Sequence, residues 1–145
     1  MQKRTVMPAV FAAAILSAGS ASACSAPSQG QLASTATVNI NGTEVRPDLV
    51  RCYQQEWYRT IALGNDESGA TAVLDQRHHP ATTISVRFHN LGGFTGTTTA
   101  APGGGDAADT RFDGGNFVIS GTANGATSAK PNEAATVDFK IRATC

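Results

Sequence analysis

No stretch of this 145-residue chain approaches the ~20 consecutive apolar residues that a membrane-spanning helix needs. Charge of either sign is nowhere massed. Eleven Lys and Arg balance eleven Asp and Glu, and they are scattered singly, so neither a basic patch for nucleic acid nor an acidic tail is present. Aromatics are scarce, with six Phe, one Trp and two Tyr. There is no G-x-S-x-G, no H-E-x-x-H and no P-loop, which removes the commonest signatures of hydrolases, zinc peptidases and nucleotide-binding enzymes. Gly92-Gly93-Phe94-Thr95-Gly96 lacks a following Lys-Ser/Thr and reads as a turn. Only three cysteines occur and no CxxC, which argues against a structural zinc site.

One of those cysteines is the most informative residue. Cys24 follows a basic start (Lys3, Arg4), an apolar run from Val6 to Leu16 and the small residues Ser20-Ala21-Ser22-Ala23. That order describes an export signal, residues 1–23, with a cysteine as first mature residue. Two readings share this cut. In one, Cys24 is a lipoprotein acylation site, with Ala21 where a lipobox usually has Leu. In the other, Ala21-Ser22-Ala23 is an ordinary A-x-A secretion site. They differ in whether the sulfur carries lipid, and hence in whether the product is held at the membrane or secreted.

Removing residues 1–23 from 145 leaves 122, enough for one domain. A domain of that size buries under ~70% of its unfolded surface and gains from extra bracing. Cys52 and Cys145 are an even pair in an exported chain, which usually closes as a disulfide. A buried free thiol and a metal pair are the rival readings. A closed bridge would pin a C-terminal strand that no later chain secures.

Residues 24–36 are small and polar and read as a flexible tether. From residue 37 to 145 the pattern has period two. Thr37 to Ile40 and Thr43 to Val45 flank Asn41-Gly42, a strong hairpin signal. Further runs follow at Leu49–Tyr53, Trp57–Leu63, Thr71–Leu74, Thr83–His89 and Asn116–Ser120. The last run places Val137, Phe139, Ile141 and Ala143 on one face, with Asp138, Lys140 and Arg142 on the other. One buried and one wet face marks antiparallel sheet. The expected fold is therefore mainly β: one antiparallel sandwich or open barrel of about seven to eight short strands. At most one short helix fits, near Pro131 to Ala135, where proline suits a first turn. Thr95 to Asp109 is poor in large side chains and reads as a connecting loop, with Pro102–Asp106 its most glycine-rich part; a lid is the sharper alternative.

The polar candidates are few. Asp75, His78 and His79 lie close in sequence, and His89 is placed on a neighbouring strand. A metal site needs three or four converging ligands. Adjacent histidines on a strand face opposite ways, so loop histidines are the simpler reading and no metal or cofactor is assigned. Trp57 and Tyr58, being adjacent, are expected to divide between core and surface.

Val38-Asn39-Ile40-Asn41-Gly42, Val50-Arg51-Cys52, Thr60-Ile61-Ala62-Leu63-Gly64 and Ala72-Val73-Leu74 come in an order that resembles the LpqH-like, nineteen-kilodalton lipoprotein antigen family of mycobacteria. Phe117-Val118-Ile119-Ser120-Gly121-Thr122-Ala123-Asn124-Gly125 is similar to that family's aromatic-x-Ile-x-Gly-Thr-Ala-x-Gly stretch. Phe139-Lys140-Ile141-Arg142-Ala143-Thr144-Cys145 resembles its closing strand and second cysteine. The resemblance covers about residues 37–145. It implies a cell-envelope lipoprotein on the extracytoplasmic face of the cell membrane, a surface antigen that meets host receptors. It also implies acylation at Cys24, a Cys52–Cys145 bridge and no catalytic residues. The alternative function is a carrier or sensor that holds an apolar lipid or glycolipid between its sheets, against which the small supply of aromatics argues.

Overall fold

The computed structural model describes residues 34–99 and 107–145. The export signal, Cys24, most of the tether and the Pro102–Asp106 connector lie outside the described residues.

Asn41 and Gly42 have φ of 47° and 85°, the left-handed pair that a two-residue hairpin turn demands. They join β1 (Ala36–Ile40) to β2 (Thr43–Val45). The Asn39 side chain accepts the Gly42 amide at 2.8 Å and fixes the turn. The chain continues as β3 (Val50–Gln55), β4 (Tyr58–Gly64), β5 (Gly69–Asp75), β6 (Thr82–Leu91), β7 (Phe94–Thr99), β8 (Asp109–Asp113), β9 (Asn116–Thr127) and β10 (Lys130–Thr144). All pairings are antiparallel. The order is β2-β1-β10-β9-β7-β6-β5-β4-β3, with β8 added to β9. Among the described residues there is no helix.

The sheet curls so that its inward faces form one core. Strand β10 alternates as its sequence requires, with Val137, Phe139, Ile141 and Ala143 buried. Ile61 and Leu63 of β4, Ala72 and Leu74 of β5, Val86 and Phe88 of β6, and Ile119 of β9 meet them. Phe88 sits at the centre, edge-to-face with Phe94 at 5.8 Å and with Phe139 at 5.1 Å between centroids. The space inside the curl is filled by these side chains. Curling also brings β3, the far edge, to the end of β10: Cys52 and Cys145 are joined, with Cα atoms 5.9 Å apart.

Long strand β9 has two partners along one edge. Asn116–Ser120 pairs with β8, while Asn124–Thr127 pairs with β7. Gly125 lies in the second stretch, where β7 crosses so closely that a Cβ would stand 2.0 Å from the Thr95 carbonyl oxygen. Glycine is required there for packing rather than for backbone freedom.

Several expectations change. Thr95–Thr99 is not loop but strand β7: β-branched threonines suit a pleated surface, and the Thr97 hydroxyl donates to the Val86 carbonyl at 3.0 Å. Of the Gly92–Gly96 turn, only Gly92 and Gly93 turn the chain. Asp109 opens β8, tied to β6 by the buried Thr83–Thr110 hydroxyl pair and by the Ala107 amide on the Thr83 carbonyl at 2.9 Å. Pro131–Ala135 is strand, not helix. Proline is tolerated because the register shifts between Lys130 and Ala135, so no ladder bond needs its missing N–H. Strand β10 is also no frayed terminus, since β9 and β1 flank it and the Thr144 amide donates to Thr35 at 2.8 Å.

Candidate functional site

The strand directions gather three connections at one end of the sheet: the β3–β4 turn, the β5–β6 loop (76–81) and the β8–β9 turn. Strand β1 also starts at this end, opposite Ala143. Here the core gives way to a groove of about 380 Å³. Arg59 of β4, the β5–β6 loop, Phe112 of β8, Phe117 of β9 and Cys145 line it.

Arg59 lies two residues before Ile61 and four before Leu63, on the inward face of β4. Its guanidinium carbon stands 5.4 Å from the centre of the Phe117 ring, a cation–π contact. Phe112 meets the same ring edge-on at 5.0 Å yet is 66% exposed. The Arg59 Nε is buried and has no hydrogen-bond partner among the described residues. Thr110, which also lines the groove, is joined behind it to the buried Thr83 hydroxyl.

The loop wall is held by Asp75, the last residue of β5. Its carboxylate accepts the Arg77 amide at 3.0 Å and the Arg77 guanidinium through Nε, at 3.0 and 2.9 Å, and Nη2. The Gln76 amide donates to the Trp57 carbonyl at 2.8 Å, and Arg77 stacks over Tyr58 at 5.8 Å. The Arg77 side-chain bonds, then its amide, hold the Asp75 carboxyl at about 2, below its usual 3.8. Because the folded value lies below the unfolded one, this contribution is complete above about pH 4 and disappears as pH falls through about 2. The Arg77 amide should therefore stay protected from hydrogen exchange well below pH 4 and open only as pH falls through about 2. A carboxyl of Asp75 titrating near 4 in an NMR pH series would contradict this.

The polar residues noted from sequence do not converge. His78 and His79 are exposed in the β5–β6 loop, and His89 is exposed on β6. Among the described residues no three His, Cys, Asp or Glu side chains gather as a metal site would need. Trp57 and Tyr58 do not divide between core and surface. Both are exposed, at 60% and 37%: Trp57 stands in the β3–β4 turn, and Tyr58, paired with Gln55 and Asp75, alternates with inward-facing Arg59 and so lies on the outer face of β4. Arg59, Phe112 and Phe117 drew no notice as site residues. The period-two register of Arg59 with Ile61 and Leu63 was the signal that could have found the first.

The fold and groove define a disulfide-joined, curled β-sheet domain with an amphipathic groove at one end and no assembled catalytic constellation among the described residues. The sequence places it further. Residues 29–145 match the model of the Mycobacterium 19 kDa lipoprotein antigen family, and the chain belongs to that family. A protein of Mycobacterium avium subsp. hominissuis with a provisional lipoprotein name is 47% identical over 145 residues, spanning 100% of this chain and 97% of its own length. Lipoprotein LppE of Mycobacterium tuberculosis is 30% identical over 110 residues, 76% of this chain and 77% of its own. Lipoprotein LpqH of the same species is 36% identical over 85 residues, 59% of this chain and 52% of its own. These relatives are named as lipoproteins, not as enzymes.

Proposed function

We propose that this chain is a non-enzymatic antigen of the cell envelope, held at the extracytoplasmic face of the membrane by acyl chains on Cys24 and displayed there to host receptors. The observation that carries this reading is the cysteine itself. It directly follows a basic, apolar and small-residue export signal, in a chain of a lipoprotein antigen family. One acyl chain binds membranes marginally, whereas two anchor stably. Cys24→Ser should move the protein from the membrane fraction to the medium and leave its fold, read by circular dichroism, unchanged. Retention of the variant at the membrane would require another anchor and defeat the proposal.

A second reading, carriage of a lipid, is favoured by one observation: the groove has an apolar wall at the end where the core is open. Its place is the end of the sheet rather than the filled space within the curl. Native mass spectrometry after gentle extraction tests it, with a stoichiometric co-purifying lipid as the expected result and a bare protein mass as the contrary one.

A further inference from the structure

We infer that the groove between Arg59 and Phe112 takes a single-chain amphiphile with an anionic head, the head paired with the Arg59 guanidinium and the tail laid along Phe112 and Pro80. The inference rests on the carriage reading and names the ligand class. Arg59 is the uncompensated element of the groove. Its Nε is buried without a partner, and none of the ion pairs among the described residues involves it. A buried donor on a charged group that lacks an acceptor costs free energy, so such groups call for an explanation. An anion in the groove supplies the counter-charge that Arg59 lacks.

The geometry suits a carboxylate or phosphate. The guanidinium lies over the Phe117 ring, its carbon 5.4 Å from the centroid, and a guanidinium is the side chain best suited to pairing with carboxylate or phosphate. The other ionisable side chains lining the groove are Arg111, which pairs with Asp109 at 3.2 Å, and His79. No Asp or Glu side chain lines it. A bare anion would find no use for the exposed Phe112 ring, and a neutral lipid would leave Arg59 unpaired. The volume of about 380 Å³ is at the lower end of small-molecule sites. That suits one head and part of one chain.

The test uses the full chain carrying Cys24→Ser, so that no acyl chain of its own competes. Oleate and oleyl alcohol are compared as displacers of a dansylated undecanoic acid. Oleate should bind at least about tenfold more tightly than the alcohol. Arg59→Gln should remove that preference and leave the alcohol unchanged, while Arg59→Lys should keep a preference through its charge. Phe112→Ser, at an exposed position, should weaken both. Equal binding of oleate and alcohol by the parent chain would overturn the anionic head and leave carriage standing. Failure of both to bind would overturn both. If Arg59→Gln does not fold, the parent comparison and Arg59→Lys still decide. Flotation with phosphatidylglycerol vesicles separates the sources: association with vesicles and no displacement by monomeric oleate would make this a membrane contact and overturn the groove as a site.

Discussion

Reduction of the Cys52–Cys145 bridge, or Cys52→Ser with Cys145→Ser, is expected to lower stability by roughly 2 to 5 kcal/mol and to loosen β3 before any other strand. The bridge closes a sequence separation of 93 residues. In the chain-entropy model such a loop gains about 4 to 5 kcal/mol, which native strain can only reduce. Where the effect falls follows from the sheet order. Strand β3 pairs with β4 on one side only, and Tyr53, Gln54 and Gln55 are exposed. Strand β10, by contrast, lies between β1 and β9. The bridge therefore secures the edge strand to the inner one. Hydrogen exchange with and without reductant should show protection lost at Val50–Gln55 while Val137–Ala143 remains protected. Loss at β10 first, or an unchanged denaturation midpoint, would contradict this account.

Phe88→Ala should cost about 3 to 5 kcal/mol, the range for deleting a buried aromatic side chain. Phe88 is 1% exposed and supports two edge-to-face contacts, so its removal opens a cavity and takes the packing partner from both Phe94 and Phe139. Domains of this size hold only some 5–15 kcal/mol in all, and the variant should be visibly less cooperative in urea. Phe88→Leu should recover most of the loss, because it refills much of the volume. Phe112→Ala is the contrasting control. That ring is 66% exposed, and its removal should change stability by well under 1 kcal/mol. Equal costs at the two positions would mean that the centre of packing has been misplaced.

The parts of the fold legible in sequence are those where side-chain chemistry alone dictates the backbone. The alternation from Val137 to Ala143 names its buried face, and Asn41-Gly42 names its turn. Strands β7 and β8 were not legible, because Thr95–Thr99 has no apolar alternation to declare a face. What orders β7 is the backbone of β6 and β9 on either side, and what orders β8 is the backbone of β9 with the Thr83 hydroxyl of β6, which no local pattern reveals. The Pro131–Ala135 misreading has the same origin: a proline at a helix start and a proline at a register shift look alike until the partner strand is known. The groove was the least legible feature. Arg59 meets Phe117 across fifty-odd residues of intervening chain, and only the curl of the sheet brings them together.

The direction of the strands has one more consequence. The chain enters β1 at the groove end, so the β1–β2, β4–β5, β6–β7 and β9–β10 tips all lie at the other end. Asp66, Glu67, Ser128 and Ala129, which stand there, are exposed, and substitution at such positions typically changes stability by less than ~0.5 kcal/mol. Side chains at these four tips can therefore change at little cost to folding, whereas the buried Phe117 ring and the disulfide at the groove end cannot.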